Sequence, residues 1–162
     1  MMAKKEFVKD TGCCKRFDPG PWDKKTVVFK GRQFVKARVF SLFHIPLNFG
    51  QVMKSSMEKI WAAKAAPDAP ICLSDENSLW GSDVYIAVSK PVPGMENVKI
   101  SGTFLSKVYE GGYSDMGKWV ADIHAYCKSK GKRLKKLYFF YTMCPSCAKA
   151  YGQNYTVLLA QI

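Results

Sequence analysis

Val108-Tyr109-Glu110-Gly111-Gly112-Tyr113-Ser114-Asp115-Met116-Gly117 joins a β-rich run to a helix across a double-glycine turn, and the order of the surrounding elements follows from that junction. Upstream, Val98 to Tyr109 is rich in β-branched and aromatic residues, which predicts one long strand or two short ones broken at Gly102. Downstream, Ser114 or Asp115 can cap a helix whose apolar residues Met116, Trp119, Val120, Ile123 and Cys127 recur at spacings of three and four. Gly131 stops that helix, and strands from Leu134 to Met143 and from Tyr155 to Ile162 complete the unit.

The same order stands earlier in the chain. Phe34 to Phe43 has the composition of a strand and ends before Pro46. Asn48 can cap a helix whose apolar face is Phe49, Val52, Met53, Met57, Ile60 and Trp61, ended by Pro67 and Pro70. The short run Ile71-Cys72-Leu73, a polar turn from Ser74 to Ser78 and the alternating residues Val84, Ile86 and Val88 follow, closed by Pro91 and Pro93. Asn48-Phe49-Gly50 and Asp115-Met116-Gly117 lie 67 residues apart, and that offset pairs Val52 with Trp119, Met53 with Val120 and Ile60 with Cys127. The core face is kept while the letters change, which reads as an internal duplication with repeats over about 34–93 and 98–162. The fold class expected is α+β: duplicated strand-helix-strand-strand units form a curved, mostly antiparallel sheet with two helices on one face and a ligand groove on the other. Residues 1–25, with Gly12, Pro19, Gly20 and Pro21, read as an irregular N-terminal arm, and residues 26–162 as a single domain.

Composition narrows the function classes. A chain of 162 residues buries enough surface for a real core and needs no disulfides to fold. Ten Phe, eight Tyr and four Trp exceed what a small core requires, so part of this aromatic surface is expected to line a groove. No secretory signal follows Met1-Met2-Ala3-Lys4-Lys5 and no apolar run reaches membrane-spanning length, so a cytoplasmic protein with no membrane partner is expected, as a monomer. The net charge of +12 favours a neutral or anionic ligand over a cationic one. The dense basic stretch Lys128, Lys130, Lys132, Arg133, Lys135 and Lys136 reads as a solvated helix end and loop, so nucleic acid is not the expected partner.

The doubled strand-helix-strand-strand order, with Val108-Tyr109-Glu110-Gly111-Gly112-Tyr113 leading straight into the second helix, resembles the GyrI-like family over about residues 34–162. The resemblance implies a small-molecule-binding domain, since that family includes gyrase-inhibitory proteins, effector-binding domains of drug-sensing regulators, and hydrolases that open cyclopropane rings. Cys13-Cys14 through Trp22, Phe43-His44-Ile45-Pro46-Leu47-Asn48-Phe49-Gly50 and Cys144-Pro145-Ser146-Cys147 are similar to a small standalone bacterial branch often labelled hydrolase. Multidrug-sensing relatives carry a glutamate on the penultimate strand, whereas this strand reads Tyr138-Phe139-Phe140-Tyr141, which argues against a lipophilic-cation ligand.

For ligand binding the aromatic residues Trp80, Tyr85, Tyr109, Tyr113, Tyr138 and Phe140 stand out, with Tyr138 and Phe140 on one face of their strand and Tyr141 on the other. The acids available as a general base are Asp75, Glu76, Asp83 and Glu110, with Glu110 between two tyrosines first among them, and His44 the alternative that could position water. No cofactor is required. Cys144 and Cys147, with Cys13 and Cys14, open a second reading as a zinc or redox protein, against a third in which the thiols are small buried side chains. Cys72 and Cys127 read as core, and a Cys127–His124 nucleophile lacks an orienting third group. The function expected is capture, with possible hydrolysis, of a small apolar or aromatic electrophile. A basic interaction module for nucleic acid or gyrase is the remaining alternative.

Overall fold

Two long strands organise the chain in the computed structural model, which describes residues 17–42, 45–67, 71–78, 80–142 and 149–162. β1 (Lys25–Leu42) and β5 (Glu96–Glu110) run antiparallel from the pair Lys25–Ser106 to the pair Lys36–Glu96. Each also takes a second partner. β1 pairs through Phe34 to Phe40 with β4 (Gly81–Ala87), and β5 pairs through Phe104 to Glu110 with β7 (Tyr155–Gln161). β3 (Cys72–Ser78) pairs with β4, and β6 (Lys136–Tyr141) with β7. The pairs Leu73–Phe140 and Ser74–Phe139 then join β3 to β6, so six strands close into an antiparallel barrel. β2 (Ile45–Pro46) only folds back on the end of β1.

Closure gives every strand two apolar faces, because the inside of the barrel and the surface under the helices both exclude water. On β6, Tyr138 and Phe140 point inward to Phe29, Phe34, Leu73, Tyr85, Phe104, Val157 and Leu159. Leu137, Phe139 and Tyr141 point outward, where Trp119, Ile123 and Cys127 of α2 (Met116–Ser129) cover them together with Leu105, Leu158 and Ala160. On β4, Tyr85 and Ala87 turn inward, while Val84 and Ile86 pack with Val35 and Val39 under Val52, Met53, Met57 and Ile60 of α1 (Phe49–Ala62). The two helices are each 14 residues long, and their first and last residues lie 67 apart, the offset read from the sequence. The pairing pattern maps onto itself when β1, β3, β4 and α1 are exchanged for β5, β6, β7 and α2.

Four expectations are corrected. The face opposite the helices is not an open groove, since the sheet closes on itself and buried rings fill it. The reason is the length of β1, which begins at Lys25 rather than near Phe34 and so has a free half to offer β5. A bulge between Phe29 and Arg32 bends it there, with Gly31 at φ 60° in the left-handed region and its N–H donating to Ser101 Oγ at 2.7 Å. The polar run Ser74 to Ser78 is strand, not turn, because its backbone completes the ladder to β4 and β6. Asn48 stands at the start of α1, but its Oδ1 accepts the Phe40 N–H at 2.8 Å instead of capping the helix. Trp61, one position past the buried Ile60, is 62% exposed.

The N-terminal arm, described from Phe17, is irregular to Lys24 and packs on the barrel. Trp22 and Phe17 meet the ring of Phe140 at 5.5 and 6.1 Å, the Trp22 carbonyl accepts from Ser106 Oγ, and Asp23 Oδ1 accepts from the Val108 N–H at 3.2 Å. No helix among the described residues is long and apolar enough to cross a membrane.

Phe104 is fully buried between Phe29 and Tyr138, at 5.2 and 6.0 Å between ring centres. Phe104→Ala should therefore lower the unfolding free energy by about 3–5 kcal/mol. Trp61→Ala should change it by less than about 0.5 kcal/mol. Urea denaturation of both variants distinguishes a packed interior from a hollow one, for which the Phe104 cost would be small.

Candidate functional site

Period-two alternation carries charge as well as rings into the barrel. Stepping two residues from the inward Leu73, Tyr85, Phe34 and Tyr138 brings Asp75, Asp83, Lys36, Arg38 and Lys136 to the same face. The register sets Asp75 directly opposite Asp83, Asp83 opposite Arg38, and Tyr85 opposite Lys36. Gly81 begins β4 and Lys136 begins β6, so this cluster forms one mouth of the barrel. Phe17 and Trp22 cover the other end, near Val108 and Tyr155.

Two carboxylates facing each other across neighbouring strands repel, and each here is held by its own cations. Lys136 Nζ lies 3.0 Å from Asp75 Oδ2. Arg38 Nη1 donates to Asp83 Oδ1 at 3.1 Å, and Lys36 Nζ stands 3.8 Å from Asp83 Oδ2. Lys136 Nζ also sits 5.0 Å from the centre of the Tyr138 ring, which meets Tyr85 edge to face at 5.8 Å. Burial works against the ammonium of Lys136, but its bonds to Asp75 and Tyr138 outweigh that and hold it above the usual lysine range. Burial pushes the Tyr85 phenol up, with the charge of Lys136 offsetting part of the rise, so at neutral pH the phenol keeps its proton and remains a donor. The mouth thus combines three ion pairs on two carboxylates, two phenols and an aromatic floor.

The residues singled out from sequence divide accordingly. Tyr85, Tyr138 and Phe140 come together inside the barrel, with Phe140 toward the covered end. Trp80, 57% exposed, immediately precedes β4 at the rim of the mouth, where its carbonyl accepts the Ser41 N–H at 2.9 Å. Tyr109 faces the other way: it stacks on Trp119 at 5.7 Å and its hydroxyl donates to Asp122 Oδ2 at 2.6 Å, which pins α2 to β5. Burial first, and then the Asp122 bond, push that phenol well up. Glu110 is exposed at the end of β5, opposite Tyr155 and away from the mouth. The backbone of Tyr113 lies in a short helical turn, Tyr113–Asp115. His44, Cys13, Cys14, Cys144 and Cys147 lie outside the described residues.

Cys127 is buried under α2 with its thiol pushed up by burial, while His124 on the same helix is exposed, so the two do not form a pair. Cys72 is only partly buried as a residue, yet desolvation around its sulfur pushes the thiol up to about 12, which leaves it unreactive near neutral pH. Lys136, Arg38 and Lys36 were missed from the sequence. Lys136 reads there as the tail of a basic loop, although stepping back two residues from Tyr138 assigns it to the same face. A shallow depression of about 490 Å³ lies beside α1, lined by Gln51, Ser55, Ser56, Lys59 and Glu96 among others. It shares only Lys36 with the mouth and contains none of the phenols or paired acids.

The family model described as bacterial hydrolase matches residues 4–162. No curated protein matches the chain. Among solved structures, an uncharacterized conserved protein from Listeria innocua aligns with TM-score 0.60 at 10% identity, over 85% of this chain and 92% of its own. Two hydrolases from Listeria innocua align with TM-scores of 0.61 and 0.60 at 11% and 12% identity, each over 86% of this chain and 92% of its own. At such identities the likeness is one of fold.

Folding raises the pKa of Lys136 above its ordinary 10.5, so the stability this charge adds is complete below about pH 10.5. It is lost as pH rises from there through the folded-state value. Lys136→Met should accordingly cost the same stability near pH 7 and pH 9 and less near pH 11, read by urea denaturation at each. A cost that grew at the highest pH would contradict the pairing with Asp75.

Proposed function

The chain belongs to the bacterial hydrolase family, and from that premise we propose that it binds a small, largely aromatic molecule at the charged mouth of the barrel and hydrolyses an electrophilic group on it. The observation that carries this reading is the inward constellation of Asp75 and Asp83 opposite each other, beside the phenols of Tyr85 and Tyr138, with Lys136 paired to Asp75 and set against the Tyr138 ring.

Each group has a part that its surroundings fit. Asp75 is the general base: its carboxylate takes a proton from water as the oxygen adds to the electrophilic carbon. The ammonium of Lys136, 3.0 Å from Asp75 Oδ2, orients that carboxylate and offsets the negative charge that develops on the substrate during the step. The hydroxyls of Tyr85 and Tyr138 donate to the oxygen that leaves or becomes anionic. Burial favours this role for Tyr85, because a phenol that stays protonated stays a donor. The edge-to-face pair of rings and the exposed Trp80 supply apolar surface for the body of the ligand. Penultimate strand β6 brings a cation and no carboxylate to the mouth, which fits a neutral or anionic ligand. Removal of reactive small molecules from the cytoplasm is the role in which such an activity belongs.

A panel of chromogenic aromatic esters tests the assignment. Asp75→Asn should lower turnover by about 100-fold or more, while ligand affinity, followed by tryptophan fluorescence, changes by less than about threefold. Glu110→Gln should leave turnover intact. Wild-type rates in Asp75→Asn, or their collapse in Glu110→Gln, would move the chemistry away from the mouth.

A further inference from the structure

Four of the six large apolar side chains left exposed among the described residues, Phe40, Leu42, Leu47 and Trp80, stand at one end of the barrel. β1 runs on past the mouth, and stepping two residues from Arg38 brings Phe40 and then Leu42 to the same face as the charged cluster. Phe40 is 62% exposed and lies opposite Gly81, which has no side chain to cover it. The chain returns through β2 to Leu47, 67% exposed, whose N–H donates to the Phe40 carbonyl at 2.9 Å. Trp80, joined through its carbonyl to Ser41, adds a ring at the same rim. Apolar side chains grouped in this way mark a surface that is covered in use.

In the strand order β2-β1-β4-β3-β6 the far flank of the mouth is basic. Lys136 begins β6 at the mouth, so the segment that leads into it from the end of α2 lies at this end too. Lys128, Lys130, Lys132, Arg133 and Lys135 are all exposed, and none of them forms an ion pair among the described residues. The side-chain contact described for them is that of Lys130 Nζ with the Tyr126 ring, 5.7 Å from its centre. No Asp or Glu occurs between Asp122 and Ile162 to neutralise them. The segment is held in place, since the Lys132 N–H donates to the Cys127 carbonyl at 3.0 Å and the Lys135 N–H to the Gln161 carbonyl at 2.7 Å. The dipole of α2 accounts for a cation in its last turn, where Lys128 lies, but not for Lys132, Arg133 and Lys135 beyond it.

We infer that this end of the barrel docks on the surface of an anionic lipid bilayer, with the apolar group entering the interface and the basic segment lying against the headgroups. Other occupants match only half of the surface. A nucleic acid would pair with the cations and leave Phe40 and Leu47 in water, while a second copy of the chain would cover the rings but bring another net charge of +12 against the first. A bilayer with anionic lipids meets both needs, because its interface takes aromatic and aliphatic side chains and its headgroups attract Lys and Arg. The expectation of no membrane partner rests on the lack of a spanning run, and docking on a surface needs none. The dock is independent of the chemistry proposed at the mouth, so Asp75→Asn should bind vesicles as the wild type does.

Cosedimentation with phosphatidylcholine vesicles, pure or containing about 30% phosphatidylglycerol, provides the test. The wild-type chain should partition at least about tenfold more strongly onto the anionic vesicles. Phe40→Ser combined with Leu47→Ser should lower that partitioning at least about tenfold, whereas Trp61→Ser, which removes an equally exposed ring from α1, leaves it unchanged. Lys132→Gln, Arg133→Gln and Lys135→Gln together should abolish the preference for anionic vesicles. Lipids brominated in their tails should quench the tryptophan emission of the bound protein, an effect lost in Trp80→Phe and kept in Trp61→Phe. Absence of partitioning onto the anionic vesicles overturns the dock. Equal binding to both vesicle types overturns the part given to the basic segment. Binding that survives loss of Phe40 and Leu47 and is matched by a DNA duplex makes the partner a polyanion of any kind and overturns the bilayer. Quenching that follows Trp61 instead of Trp80 overturns the choice of face.

Discussion

The pairing of β1 with β5 is the constraint on which the other features depend. Either strand could serve an open sheet by pairing on one side. Because each uses one stretch against the other and a further stretch against β4 or β7, the two halves of the chain form one continuous sheet, and the pairing of β3 with β6 at its far ends closes it. Closure with only six strands leaves an interior narrower than that of the eight-stranded barrels whose lumen side chains just fill. Phe29, Phe34, Phe104, Tyr138 and Phe140 fill this one, so a ligand cannot pass through the centre and any site built on the inward face must lie at an end. One end is occupied by Phe17 and Trp22 against Phe140, which leaves the mouth at Asp75, Asp83 and Lys136.

Charge at that mouth is costly, and the form of the site follows from how the cost is met. A largely buried carboxylate facing a second one loses hydration and meets like-charge repulsion. Cations on the flanking strands do compensate, Lys136 from β6 and the pair Lys36 and Arg38 from β1, so the acids are held between the two outer members of a four-strand row. Replacing such a network by apolar residues of similar volume would cost little stability and often adds some. Its presence inside a fold that already has three apolar clusters is therefore better explained by function than by folding.

What the sequence makes legible is what local patterning controls. Both helices, their common length and their offset follow from apolar residues at spacings of three and four, and the shared face of Tyr138 and Phe140 follows from alternation along β6. What it hides depends on partners distant in the chain. Lys25 to Gln33 carries a weak apolar signal because that half of β1 is stabilised by pairing with β5, and Asp75 lies in a polar run that is strand only because β4 and β6 flank it. Asn48 has the chemistry of a helix cap, but the Phe40 N–H, freed where β1 peels from β5, competes for the same oxygen and wins it. Lys136 looks like loop because its charge joins a basic run, and only the inward register of its strand assigns it to the site.

The same register ties the site to the fold. On β6 the inward residues Lys136, Tyr138 and Phe140 alternate with Leu137, Phe139 and Tyr141, which α2 buries on the outer surface. On β4 the inward Asp83 and Tyr85 alternate with Val84 and Ile86, which pack under α1. A slip of one residue in either strand would expose the outer apolar set to the mouth and push an ion pair beneath a helix, a double penalty that no local contact could offset. The helices thus hold the chemical groups in place without touching them. Asp75, Lys136 and Tyr85 owe their positions to Phe139, Val84 and Ile86 on the far side of the sheet, and a site fixed in this way is set by strand pairing rather than by loops.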